Sequence, residues 1–151
     1  MGGPGGLPFL FERSLIMSKA FAFISNNTSQ TITGGGVVNP GTAQHGFGCT
    51  YCNRTIQLNG TNIDLRESGY YQVDVGATVS ATDAGNVTLA LYRDGALVAQ
   101  GSGTIAAAND PASISFPASV KVNCFSTLTL VVTATAGDPI VTNIYSTVDK
   151  K

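Results

Sequence analysis

The sequence is poor in charge. Eight Lys and Arg and nine Asp and Glu among 151 residues amount to 11%, with a net charge of −1. Soluble domains average about 25% charged residues. A nearly neutral chain has no electrostatic footprint for nucleic acid or for an anionic membrane surface, so we expect neither partner. Since few charges oppose self-association, this composition favours an oligomer.

Other residue types are also scarce: tryptophan is absent, and the chain has three cysteines and one histidine. The odd cysteine count argues against the disulfide framework of a small secreted domain. No apolar run approaches the roughly 20 residues of a membrane-spanning helix, which argues against membrane insertion. Catalysis by a Ser-His-Asp or Cys-His arrangement would have to use His45. We therefore predict no catalytic residues.

The first sixteen residues differ from the rest, because they are rich in Gly and Pro and then apolar around Phe9. As a signal peptide they are poor, since no positive charge precedes the apolar part and Glu12 and Arg13 interrupt it. We assign residues 1–16 to an N-terminal extension or a leader added for expression. Residues 17–151 are then a single domain.

Several segments of the sequence alternate strictly between an apolar residue and the next one. Residues 71–79 and 87–91 alternate with a period of two and flank a turn at 82–85. The dipeptides Asp94-Gly95 and Asn59-Gly60 each stand between two such runs. These are strong hairpin signals.

The remaining segments extend the same pattern, and residues 17–151 show no helical period. Further strands are predicted at 19–25, 30–33, 113–116, 119–124, 127–135 and 140–148. About eight to ten short strands separated by Gly, Pro, Asn and Asp turns indicate an all-β, antiparallel jelly-roll sandwich.

Three segments also carry a resemblance. The chain opens its first strand with Lys19-Ala20-Phe21, continues with Gly69-Tyr70-Tyr71-Gln72-Val73, and ends the strand that begins at Val87 in Arg93-Asp94-Gly95. In order and spacing, residues 18–149 resemble the tumour-necrosis-factor-like jelly roll, including the globular heads of complement and collagen-like proteins. The resemblance implies a non-enzymatic domain that assembles as a homotrimer.

The adjacent tyrosines Tyr70 and Tyr71 must face opposite sides of their strand. Val73 and Val75 place Tyr71 on the core side, so Tyr70 faces outward. Large amphipathic rings on a surface commonly serve subunit interfaces. Tyr70 is thus our candidate for the trimer interface. The alternative is that neither tyrosine has an interface role.

Low charge and richness in Thr, Ala and Val make the chain resemble bacterial or phage members of this fold more than animal ones. The expected function is structural display, as a virion decoration or appendage or a component of a bacterial cell or spore surface. The alternative is a head that binds a glycan or protein receptor through loops 39–47 or 104–111.

One cluster has the chemistry of a metal site. His45, Cys49 and Cys52 form a His-x-x-x-Cys-x-x-Cys motif, and Cys124 could supply a fourth zinc ligand. The alternatives are structural thiols, an oxidised Cys49–Cys52 pair, or a Cys-His enzyme.

Aspartates in predicted turns raise a second possibility, which is calcium. The residues are Asp83, Asp94, Asp110 and Asp138. Calcium requires several converging oxygens, whereas turn aspartates usually accept backbone hydrogen bonds. We predict no bound cofactor from these residues.

Overall fold

Two antiparallel sheets packed face to face make up the fold. The computed structural model describes residues 20–45 and 55–151. In chain order its strands are β1 (Phe21–Asn26), β2 (Gln30–Thr31), β3 (Gly36–Val37), β4 (Thr42–His45), β5 (Ile56–Asn59), β6 (Asn62–Leu65), β7 (Gly69–Ala81), β8 (Gly85–Arg93), β9 (Ala96–Ile105), β10 (Ala112–Val122), β11 (Ser126–Ala134) and β12 (Pro139–Lys150). The predicted antiparallel jelly-roll sandwich is confirmed.

Each sheet has six strands. Sheet A has the order β10-β7-β12-β1-β4, with the short β2 also pairing with β12. Sheet B has the order β5-β6-β11-β8-β9, with β3 also pairing with β11. The consecutive strands β7 and β8 lie in different sheets, so the turn at 82–85 carries the chain from one sheet to the other. By contrast, β8 and β9 form the hairpin that Asp94-Gly95 predicts.

The core lies between the sheets and follows from the alternation. On β7, Tyr71, Val73 and Val75 each expose 1% or less of their surface. Across the core, Leu128 and Leu130 of β11 are equally buried. Fully burying one such apolar side chain contributes about 1.5–3 kcal/mol. The predicted inward position of Tyr71 is confirmed.

Strand β10 corrects one sequence-based prediction. The separate strands predicted at 113–116 and 119–124 are one eleven-residue strand that runs through Pro117. Proline is tolerated because β10 is the edge strand of sheet A, where a missing N–H can face away from the neighbouring strand. Phe116 and Ala118 on either side of Pro117 point into the core, so the alternation is unbroken.

The contacts at one end of the sandwich explain why a glycine precedes Tyr70 and Tyr71. A Cβ on Gly69 would lie 2.8 Å from Cε of Lys150, and the Gly69 φ of 146° disfavours other residues. Lys150 is largely buried and its Nζ lies 3.1 Å from Oε1 of Glu67. The hydroxyl of Tyr71 donates a 2.8 Å hydrogen bond to the Glu67 carbonyl oxygen. The positive φ therefore favours glycine at position 69, and the Lys150 side chain packs against the space that this glycine leaves open.

Within the described ranges, no helix is long and apolar enough to cross a membrane.

Candidate functional site: an aromatic sheet face and an adjoining cleft

The outer face of sheet A carries a group of aromatic side chains. Because Ala22 and Ile24 of β1 point into the core, the residues between and beside them point outward. We call the group the aromatic face; it consists of Phe21 and Phe23 on β1, Tyr70 on β7 and Tyr145 on β12. Phe21, Tyr70 and Tyr145 are 42%, 59% and 43% exposed. Exposed rings gathered on one sheet face are typical of an interaction surface.

Tyr70 points outward as its neighbours predicted. Its ring lies beside Lys121 of the adjacent strand β10, whose Nζ is 5.8 Å from the ring centroid. The ammonium group therefore contacts the electron-rich face of the ring. An interface role for Tyr70 stays a prediction.

Tyr145 is a functional candidate that the sequence reasoning missed. It is paired across the strands with Gly76, and a Cβ on Gly76 would overlap the Tyr145 ring. The ring therefore lies flat over the glycine, and it stacks on Phe23 with a centroid distance of 6.5 Å and an interplanar angle of 23°. The signal was present as a glycine in a strand, which often marks a close approach.

The outer face of sheet B has a different character. Hydroxyl and amide side chains pair across its strands: Thr88 Oγ1 lies 3.1 Å from Ser102 Oγ, Thr104 Oγ1 donates to Asn86 Oδ1, and Thr129 Oγ1 donates to Asn62 Oδ1. These groups are small, polar and largely satisfied by one another. Tyr92 and the exposed Leu97 also lie on this face, so the two outer faces differ in their share of aromatic side chains.

A cleft adjoins the aromatic face where β1 ends and β12 begins. We call it the amide cleft. Its polar half has a volume of about 530 Å³ and is lined by Ser25, Asn26, Asn27, Thr28, Gln30, Asn39, Gly41 and Thr42. Its aromatic half has a volume of about 390 Å³ and is lined by Phe23, Ser25, Asn27, Asn143, Ile144 and Tyr145. Ser25 and Asn27 line both halves, so the two lie side by side.

Hydrogen bonds between two chain segments hold the polar half in shape. Gln30 donates from Nε2 to the Asn39 carbonyl oxygen at 2.9 Å, and its Oε1 accepts from the Asn39 N–H at 3.0 Å. Asn26 donates to the same carbonyl at 3.1 Å. Part of loop 39–47, the loop that the sequence offers for binding a receptor or a glycan, thus lines this cleft.

The predicted zinc ligands are not brought together by the described part of the chain. His45 ends β4 at one edge of sheet A, whereas Cys124 is exposed just after β10, the strand at the other edge. Four inter-strand spacings of about 4.8 Å, roughly 19 Å, separate these edges. Cys49 and Cys52 lie outside the described residues, so their metal site stays a prediction.

Two of the four turn aspartates have a structural role. Asp94 Oδ1 accepts the Thr127 N–H at 2.9 Å, and Asp138 Oδ1 accepts the Gly34 N–H at 2.9 Å. Residues 20–45 and 55–151 contain no group of three or more His, Cys, Asp or Glu side chains arranged to hold a metal ion. These hydrogen bonds account for Asp94 and Asp138 without calcium.

The strand order defines the class as a two-sheet antiparallel jelly-roll sandwich. Among solved structures, the chain is similar to the Eiger TNF of S. frugiperda, with a TM-score of 0.64 and 15% identity over 88% of this chain and 91% of that one. Murine APRIL matches with a TM-score of 0.63 and 9% identity over 88% and 99%. The globular domain of the zebrafish complement 1qA protein matches with 0.60 and 11% over 86% and 94%.

These likenesses confirm the fold that the resemblance predicted, that of the TNF family and the C1q globular heads. No protein-family model matches the sequence, and no curated protein sequence matches it. Residues 1–16 lie outside the described residues, so the predicted boundary near residue 17 stays a prediction.

Proposed function

We propose that the protein is a non-enzymatic homotrimeric head that decorates a virion or appendage, or a bacterial cell or spore surface. The observation that carries the proposal is the aromatic face. Phe21 and Tyr70 are half-exposed rings at the same end of sheet A. Such rings are enriched at interface cores because burying them is strongly favourable.

A closed three-fold assembly uses this face and leaves the other one free. Three copies packed around one axis bury Phe21 and Tyr70 of each chain, while the outer face of sheet B stays in solvent. The low net charge of −1 limits repulsion between copies, and the charges beside these rings have partners: Lys121 lies over Tyr70, and Lys151 pairs with Asp149. The structural neighbours named above, a TNF, APRIL and a complement globular domain, favour a head that displays or binds rather than an enzyme.

Placement on a virion or a bacterial surface is supported by composition alone. Immunogold labelling of intact particles and cells with an antibody against this chain tests it, and label confined to the cell interior contradicts it.

Matched variants test the interface. Tyr70→Asp places a charge on the aromatic face, and we expect it to shift sedimentation equilibrium from the trimer towards the monomer. Leu97→Asp is the control, because Leu97 is 51% exposed but lies on β9 at the edge of sheet B. Equal effects of the two substitutions contradict an interface at Tyr70.

The second candidate is a head that recognises a receptor or a glycan. The polar half of the amide cleft favours it, because its volume of about 530 Å³ lies within the size range of ligand sites, about 300–1,000 Å³.

A further inference from the structure

We propose that Asn59 is a site of spontaneous modification, at which the side-chain amide is lost and the main chain is rerouted through isoaspartate. Asn59-Gly60 is the only Asn-Gly pair in the sequence. It lies at the turn between β5 and β6, on the edge of sheet B. The inference goes beyond the display role and does not depend on the trimer, because the aromatic face belongs to the other sheet.

The reaction needs only the peptide and water. The backbone nitrogen of Gly60 gives up its proton to hydroxide and attacks Cγ of Asn59. The new N–Cγ bond closes a succinimide, while the Cγ–Nδ2 bond breaks and Nδ2 leaves as ammonia with a proton from water. A second water opens the ring. Cleavage at Cγ leaves aspartate, whereas cleavage at the main-chain carbonyl carbon leaves isoaspartate, and neither step oxidises or reduces any group.

Both reacting groups are free in the structure. Asn59 is exposed, and neither its side-chain amide nor the Gly60 N–H has a hydrogen bond within the described ranges. Gly60 has a φ of 65°, and a Cβ placed on it would meet nothing within 4 Å. No side chain therefore shields the attacking nitrogen, and the glycine backbone can reorient at little steric cost.

Other exposed asparagines lack this combination. After Asn27, the next N–H donates to Asn26 Oδ1 at 2.9 Å, and after Asn109, the next N–H donates to the Ala107 carbonyl oxygen at 3.0 Å. An N–H that must first give up a hydrogen bond reacts less readily. Asn123 is also exposed, but the residue after it is a cysteine, whose Cβ crowds the nitrogen.

The position at a sheet edge allows the turn to open without unfolding the sandwich. Asn59 and Asn62 form the last pair of the hairpin, and in the described part of the chain β5 pairs with β6 alone. Fraying of such an end costs far less free energy than global unfolding. Isoaspartate adds one main-chain carbon here and a negative charge, so the pairing of residue 59 with Asn62 should be lost while the core stays packed.

Peptide mapping of the full chain after incubation in mildly alkaline buffer tests the inference. Mass spectrometry detects the replacement of NH2 by OH, and fragmentation between Cα and Cβ distinguishes isoaspartate from aspartate. We expect Asn59 to convert at least about tenfold faster than Asn123, which corresponds to about 1.4 kcal/mol in the barrier. Conversion should accelerate with hydroxide concentration, because the nitrogen must lose its proton first.

Two matched variants localise the reaction. Asn59→Gln should remove most of the ammonia release, because the extra methylene of glutamine requires a larger ring. Asn123→Gln is the same change at the other exposed site and should leave the release unchanged. Incubation of the chain in denaturant separates structure from sequence: unfolding should accelerate conversion at Asn27 and Asn109 by a larger factor than at Asn59. Thermal melting verifies that each variant is folded.

The outcomes separate this inference from the trimer. Conversion of Asn59 no faster than that of Asn123 overturns the inference, as does conversion of Asn59 in the denatured chain alone. The mass in solution is measured on the same samples. A trimer that keeps its Asn59 amide contradicts only the modification, and a monomer that forms isoaspartate at residue 59 contradicts only the assembly.

Discussion

The hydroxyl of Ser146 lies inside the sandwich, on the inward side of β12 between Ile24 and Val75 in register. Ser146 is 1% exposed, and its Oγ finds no hydrogen-bond partner within the described residues. A buried hydroxyl without a partner costs about 1–3 kcal/mol.

Ser146→Ala is therefore expected to stabilise the protein. Removing the hydroxyl while keeping Cβ should raise the free energy of unfolding by about 1 kcal/mol in denaturant titrations. Ser113→Ala on the exposed side of β10 is the control and should change it by less than about 0.5 kcal/mol. A loss of stability in Ser146→Ala would mean that the hydroxyl is hydrogen-bonded after all.

Tyr71 makes stability depend on alkaline pH. Burial raises the pKa of its phenol to about 12, and the negative charge of Glu67 adds to the shift. Because the pKa is higher in the folded than in the unfolded chain, the free energy of unfolding includes a contribution from protonated Tyr71. This contribution is fully present below about pH 10. It is lost between about pH 10 and 12, and amounts to about 2–3 kcal/mol for a shift of two pKa units.

Tyr71→Phe tests this dependence. The variant should be less stable near neutral pH, because it lacks the hydrogen bond to the Glu67 carbonyl, but its free energy of unfolding should fall less steeply above pH 10. Chemical unfolding at one protein concentration measures both curves, since the stability of an oligomer depends on concentration. Parallel curves through this window contradict the assignment.

At the scale of elements, the turn between β8 and β9 is fixed locally. Asp94 and Gly95 have φ values of 51° and 86°, the left-handed pair required by the tight hairpin turn that matches strand twist. The carboxylate of Asp94 also accepts the Thr127 N–H, which joins the turn to β11.

Substitutions at Asp94 should separate these two roles. Asp94→Ala removes the acceptor and disfavours the positive φ, so it should lower the free energy of unfolding by about 1–2 kcal/mol. Asp94→Asn keeps an oxygen acceptor and tolerates this backbone conformation, so its loss should be below about 0.5 kcal/mol. Denaturant titration measures both values, and equal losses would contradict the hydrogen-bonding role.

Local signals explain what could be predicted about the elements. The Asp94-Gly95 hairpin and the inward Tyr71 follow from neighbouring residues alone. The passage of β7 and β8 into different sheets could not be predicted, because a four-residue turn does not encode which sheet receives the next strand. Pro117 was misread for the same reason: whether a proline breaks a strand depends on whether that strand lies at an edge.

At the scale of the whole molecule, one part of the candidate site follows from local sequence and the rest depends on long-range contacts. Alternation alone put Tyr70 on the surface. The aromatic face required the strand order β7-β12-β1, which brings Tyr145 between residues distant in sequence. The amide cleft required the pairing of Gln30 with Asn39 and the approach of β12 to the end of β1. Both depend on long-range contacts that composition and spacing do not reveal.

The central claim is that the aromatic face joins three copies of the chain. Light scattering coupled to size-exclusion chromatography tests it most directly, because it measures mass independently of shape. The account predicts a single species of three times the 15.5 kDa chain mass, stable on dilution. A species of one chain mass at all concentrations would contradict it, because the aromatic face would then be exposed to solvent.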